Sequence, residues 1–113
     1  MPPPRPVTKI PTGLGGGSDT YVIRIAGVLD AAACEDLRDA LDEAESSNAR
    51  RILLDLEGLV SLDAAALHMM LKAARRSLAN GGRLEVTRGR GHVADLFRLT
   101  AVGQTMHFAR ETA

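Results

Sequence analysis

The chain has 113 residues, 45% of them hydrophobic and 25% charged, the size and balance of one soluble globular domain with one modest core. Its 14 basic and 14 acidic side chains cancel, and aromatic residues are only 3% with no Trp. A global field for a polyanion and a stacking platform for single-stranded nucleic acid are therefore both missing, which argues against a nucleic-acid partner. The single Cys excludes an intramolecular disulfide, no apolar run is long enough to span a bilayer, and the N-terminus is a proline run rather than a leader peptide. A cytoplasmic protein without direct membrane insertion is expected.

Residues 1–19 hold all 5 prolines and the stretch Gly13-Leu14-Gly15-Gly16-Gly17. That composition predicts a flexible arm, with at most one short edge strand at Val7 to Ile10 between Pro6 and Pro11. The glycines do not form a phosphate-binding loop, because no Lys followed by Ser or Thr comes after them. The folded domain is expected to occupy residues 20–113.

Tyr21 to Leu29 is rich in β-branched and apolar residues and predicts a strand. Asp30 then caps a helix whose inward positions are Ala33, Leu37, Ala40, Leu41 and Ala44, ending near Ser46. Arg50-Arg51 leads into Ile52-Leu53-Leu54-Asp55-Leu56, a short apolar run suited to a central strand. Glu57 to Leu62 reads as a loop. Asp63 caps a second helix with Leu67, Met70, Leu71, Ala74 and Leu78 on its inward face, closed by Asn80-Gly81-Gly82. Arg83 to Thr87 alternates as a strand, and Val93, Leu96, Phe97 and Thr100 or Ala101 form the inward side of a third helix ending at Gly103. Met106-His107-Phe108 fits either a last short strand or a packed tail.

Strand and helix thus alternate three times, the pattern of βαβ units with right-handed crossovers and parallel neighbours. In such a sheet the loops leaving the strand C-termini share one edge, which gathers Asp30, the segment from Glu57 to Ala66 and the turn from Thr87 to His92.

Gly27-Val28-Leu29-Asp30 before the first helix, and Leu54-Asp55-Leu56-Glu57-Gly58-Leu59-Val60-Ser61-Leu62-Asp63 before the second, resemble the STAS or anti-sigma-factor-antagonist family in order and spacing. The resemblance implies an α/β fold, a single STAS-like domain with a mixed, largely parallel four- to five-stranded sheet and crossover helices. It also implies a non-enzymatic bacterial regulator of transcription that binds an anti-sigma factor or related serine kinase, with no cofactor and no metal. In the family, the segment ordinarily continues Asp-Ser-Ser-Gly-Leu, and a kinase phosphorylates the first Ser to release the partner. Here the chain continues Asp63-Ala64-Ala65-Ala66-Leu67, so the acceptor position is Ala64, which has no hydroxyl. A phosphate there would add nearly two negative charges to a docking surface, and this chain cannot acquire them at residue 64.

The contact face implied by the resemblance comprises Asp30, Ser61, Asp63, Ala64, Ala65, Ala66, His68 and Met69. Ser61 and Thr87 are alternative acceptor hydroxyls, although hydroxyls in such places commonly bond the local backbone. The rival reading is an accessory STAS subunit that binds the ATPase of a lipid-transport ABC-type assembly, or a signalling scaffold.

Other features read plainly. His68, His92 and His107 lack metal-ligand spacing to one another or to Cys34. Cys34 falls in the first turn of the first helix, where the dipole lowers a thiol pKa, yet no resolving Cys or base is near in sequence, and a packing role is expected. Met69 borders the second helix's inward stripe, between partial burial and an adaptable contact. Glu35, Asp36, Asp39, Asp42, Glu43 and Glu45 precede Lys72, Arg75, Arg76, Arg83, Arg88 and Arg90; such runs are usually solvated faces, and a separation of signs along the chain also suits a dipolar surface that orients a charged partner.

Overall fold

A computed structural model describes residues 7–11 and 20–99. The predicted Gly-rich stretch of the arm, the continuation of the third helix to Gly103 and the Met106-His107-Phe108 segment lie outside the described residues.

Alternation organises the sheet. In β2 (Thr20–Leu29), Tyr21, Ile23 and Ile25 are buried while Arg24 and Ala26 on the opposite face are exposed, as period-two geometry requires. Its partner β3 (Arg51–Leu62) buries Ile52, Leu54 and Leu56 in the same phase, and β4 (Leu84–Val86) adds Leu84 and Val86. The pairs Ile23 with Leu54 and Ile52 with Leu84 set both registers as parallel. An edge strand, β1 (Val7–Pro11), runs antiparallel to β2 with Val7 opposite Ile25, so the sheet order is β1-β2-β3-β4. The predicted mixed, largely parallel sheet is the one observed, and the strand expected at Val7 to Ile10 is present. At the sheet's edge, Pro11 costs no ladder bond with a further strand.

The helices α1 (Ala31–Ser46) and α2 (Ala64–Ala79) are the crossovers between successive parallel strands and touch one another. A short α3 (Gly91–Leu99) packs against β3 through the buried Val93 and Phe97. All five inward positions expected for α1 are buried. The core is aliphatic and contiguous, centred on Ile23, Leu37, Leu54, Leu56, Met70 and Val93.

Two expectations are corrected. Glu57 to Leu62 is not a loop but the second half of β3, because β2 is long enough to pair with it: Ala26 opposes Gly58, Gly27 opposes Leu59 and Leu29 opposes Leu62. Register slips on either side of Ala26 and Gly27 make this pairing possible, and Gly27 sits at φ +78°, a backbone state that glycine reaches without strain. Gly58 is small for a steric reason, since a Cβ there would stand 3.2 Å from the Ala26 Cβ.

The inward stripe of α2 is also rotated. Ala66, Met70, Ala73, Ala74 and Ser77 are buried, Leu67 and Leu71 are half-buried, and Leu78 is 55% exposed. Small residues win the interface because they let α2 approach the alanine-bearing face of α1 and the sheet closely. Ser77 is accommodated because its Oγ accepts the Leu84 N–H at 2.9 Å, and among the described residues no buried side-chain polar atom is left unpaired.

Candidate functional site

Where β2 and β3 end together, at the paired residues Leu29 and Leu62, each chain segment runs straight into a helix through an Asp. Asp30 Oδ1 accepts the Ala33 N–H at 3.0 Å, and Asp63 Oδ1 accepts the Ala66 N–H at 2.8 Å. Both are N-caps in extended backbone, and both remain exposed. Because their strands are neighbours, the two caps stand side by side at one end of the sheet.

Cys34 registers that proximity. Burial raises its thiol pKa above the usual value, and the Asp63 and then the Asp30 carboxylates raise it further. This reverses the lowering expected from the helix dipole: burial first, and then two full charges, outweigh a partial one. The thiol is protonated at neutral pH and packs half-buried against the core.

Beside the caps, Ala64 and Ala65 in the first turn of α2 are exposed. Ala66 is not: it is 0% exposed and faces the core, so it is removed from the expected contact face. One position in three or four of a helix must face its sheet, and here that position is Ala66. His68 is exposed on the next turn. Met69 is half-buried against the core and lines a groove toward α1 with Leu41, which takes it out of the first-turn patch. Ser61 is half-buried in β3 opposite Val28.

Thr87 is committed to the fold. Its Oγ1 accepts the Leu56 N–H at 2.8 Å while its own N–H donates to the Leu54 carbonyl at 3.0 Å, which joins the end of β4 to β3. A phosphate on Thr87 would have to displace that bond.

The sequence reading missed two members of this edge. Val28 is 56% and Val60 67% exposed, large apolar side chains at the ends of β2 and β3 next to Ser61. A signal existed in Ala26-Gly27, since a glycine inside a strand marks an irregularity that re-aims the next side chains. The patch thus combines uncharged small residues, two valines and two carboxylates. Nearby, Glu57 pairs with Arg90 at 3.3 Å.

The charge separation along the chain is partly cancelled in space, because Arg76 of α2 pairs with Asp42 at 3.5 Å and Glu45 at 3.2 Å on α1. Among the described residues no three His, Cys, Asp or Glu side chains gather as a metal set, and no helix is long and apolar enough to cross a membrane.

A family model described as Mlab, STAS domain matches residues 13–108. The chain belongs to the STAS domain family. Among solved structures it is similar to the anti-sigma factor antagonist SpoIIAA in its unphosphorylated form, with a TM-score of 0.67 and 20% identity over 94% of this chain and 89% of that one. It is also similar to part of the crystal structure of Mglu, with a TM-score of 0.54 and 26% identity over 61% of this chain. That match spans only 17% of the Mglu chain. In this chain the ends of β2 and β3 carry the exposed Val28 and Val60 and lead through the capping carboxylates Asp30 and Asp63 into α1 and α2, the latter with Ala64 and Ala65 exposed.

Proposed function

We propose that this STAS domain is a non-enzymatic cytoplasmic regulator that binds an anti-sigma factor or related serine kinase. Its docking surface comprises Asp30, Asp63, Ala64 and Ala65, bordered by Val28, Val60, Ser61 and His68. The observation that carries the reading is the exposed, uncharged first turn of α2 beside the capping carboxylates Asp63 and Asp30. A protein face can lie flat against two alanines, and apolar neighbours at Val28 and Val60 extend the area that contact removes from water. With Ala64 at the acceptor position, docking is not released by phosphorylation there.

Affinity capture from source cells, followed by calorimetry with the captured protein, tests the proposal. The natural chain should bind, and Ala64→Glu should weaken binding at least about tenfold by placing an unpaired charge in the contact. Unchanged affinity would move the docking surface elsewhere. Incubation with the partner kinase and ATP should leave the peptide 57–67 unmodified by mass spectrometry. Phosphate on Ser61 would overturn the unswitched reading.

A second reading, an accessory subunit bound to the ATPase of a lipid-transport assembly, is favoured by the same Ala64: a face that cannot be switched at its centre suits permanent association. Capture of a transport ATPase in place of a kinase would select it.

A further inference from the structure

Between α1 and α2 runs a groove lined by Arg38 and Leu41 on one side and Met69, Lys72, Ala73 and Arg76 on the other. Leu41 and Ala73 are buried at its floor, Met69 is half-buried, and the three cations are exposed around it. It encloses a notch of ≈ 90 Å³. A single water needs about 10–15 Å³ of such space, so the notch has room for one aliphatic side chain. Met69 begins about 7.5 Å along α2 from Ala64, at the 1.5 Å rise of a helix, and faces α1, so the groove lies beyond His68 at the border of the first-turn patch.

We propose that this groove is a second docking site, for an acidic peptide segment of a partner protein that seats one aliphatic side chain in the notch. The charge balance identifies the occupant. Arg76 is already held by Asp42 and Glu45, but the side chains of Arg38 and Lys72 make no ion pair or hydrogen bond with any described residue. Three cations against two carboxylates leave the rim with one net positive charge beside an apolar floor, and the alkyl stems of Arg38 and Lys72 extend that floor while their heads stay in water. Carboxylates on either side of one buried aliphatic group match this arrangement in both sign and polarity. A bare polyanion would leave the notch empty, and a neutral peptide would leave both cations unmatched.

Fluorescence anisotropy of the full chain with a labelled peptide of Asp and Glu around a central Leu tests the site. Binding should weaken with added salt and when the central Leu becomes Ala. The double variant Arg38→Glu, Lys72→Glu should weaken it about tenfold or more, equivalent to about 1.4 kcal/mol. Both residues are exposed, so the variant should melt like the natural chain. Ala64→Glu should leave peptide binding unchanged, which separates this site from the first-turn surface. Failure to bind the peptide, or equal binding by the double variant, would overturn the proposal. So would binding of phosphatidylglycerol vesicles without the peptide, or a dimer of the chain that the double variant dissociates, since these assign the groove to a membrane or a second copy.

Discussion

The two ends of the sheet are built differently. At the end where β2 and β3 finish, α1 and α2 begin on caps supplied three residues away, and the surface beyond them stays open at Ala64, Ala65, Val28 and Val60. At the opposite end, side chains bind backbone far along the chain. Arg83 donates from Nη1 to the carbonyls of Ala49 at 2.6 Å and Ser47 at 3.4 Å, and from Nη2 to that of Glu45 at 2.7 Å, while its own carbonyl accepts the Ile52 N–H at 2.9 Å. One residue therefore closes the C-terminus of α1 and aligns the starts of β3 and β4. A hollow of ≈ 260 Å³ lies there, lined in part by Arg83, Glu45 and Asn80, but the guanidinium is already spent on carbonyls. Tyr21 adds a further tie, donating its hydroxyl to Glu43 at 2.6 Å. The contrast teaches that long-range side-chain ties gather at one end of the sheet, while the proposed docking patch at the other rests on local caps alone.

The largest effect should come from breaking the closed end. Arg83→Leu removes a charged donor from three carbonyls and should cost about 3 kcal/mol in urea unfolding, since bonds to charged groups contribute about 1.5–3 kcal/mol each and are not additive. A cost below that of either cap would refute the contrast.

Tyr21 gives the next effect. Its pKa is raised from 10.0 to about 12, first by burial and then by its bond to Glu43. The neutral phenol is therefore favoured in the folded chain, so this contribution is fully present below about pH 10 and is lost as pH rises through about 12. Discounted for the exposure of Glu43, it is on the order of 1–2 kcal/mol. Because this is the only Tyr and there is no Trp, the phenolate absorbance reads the site directly. The folded midpoint should fall on Glu43→Gln.

The caps come next. Asp63→Ala should cost about 1 kcal/mol, the usual value of an N-cap, and Asp30→Ala about the same. Asp63→Asn should also speed alkylation of Cys34 by removing the second-largest influence on its thiol. Smallest of all, Ala64→Glu should change stability by less than about 0.5 kcal/mol, because an exposed acid at a helix N-terminus is tolerated. A large loss of stability there would show the first turn to be structural and not a docking face.

Much of this was legible in the sequence because it is local. A cap acts over three residues, and a strand's alternation over two, so Asp30, Asp63, the α1 stripe and the phases of β2 and β3 could be read without a partner in view. The STAS resemblance itself rests on such short segments, Gly27 to Asp30 and Leu54 to Asp63. The misreadings were nonlocal. Glu57 to Leu62 opens with Glu57-Gly58, which reads as a break after Leu56, and it is strand because β2 offers ladder bonds after a bulge. Leu78 has a core residue's chemistry and is exposed because α2 meets its neighbours through alanines. Ala66 falls out of the expected contact face for the same reason.

The sequence by itself therefore determined the order of elements, the starts of α1 and α2, and the loss of any hydroxyl at residue 64, since each depends on the residue and its near neighbours. Tertiary structure decided which alanines face out, where Val28 and Val60 point, that Arg83 ties three carbonyls, and that Arg38 and Lys72 flank one groove. Those features need segments tens of residues apart to meet, and only the packing of helices on the sheet brings them together.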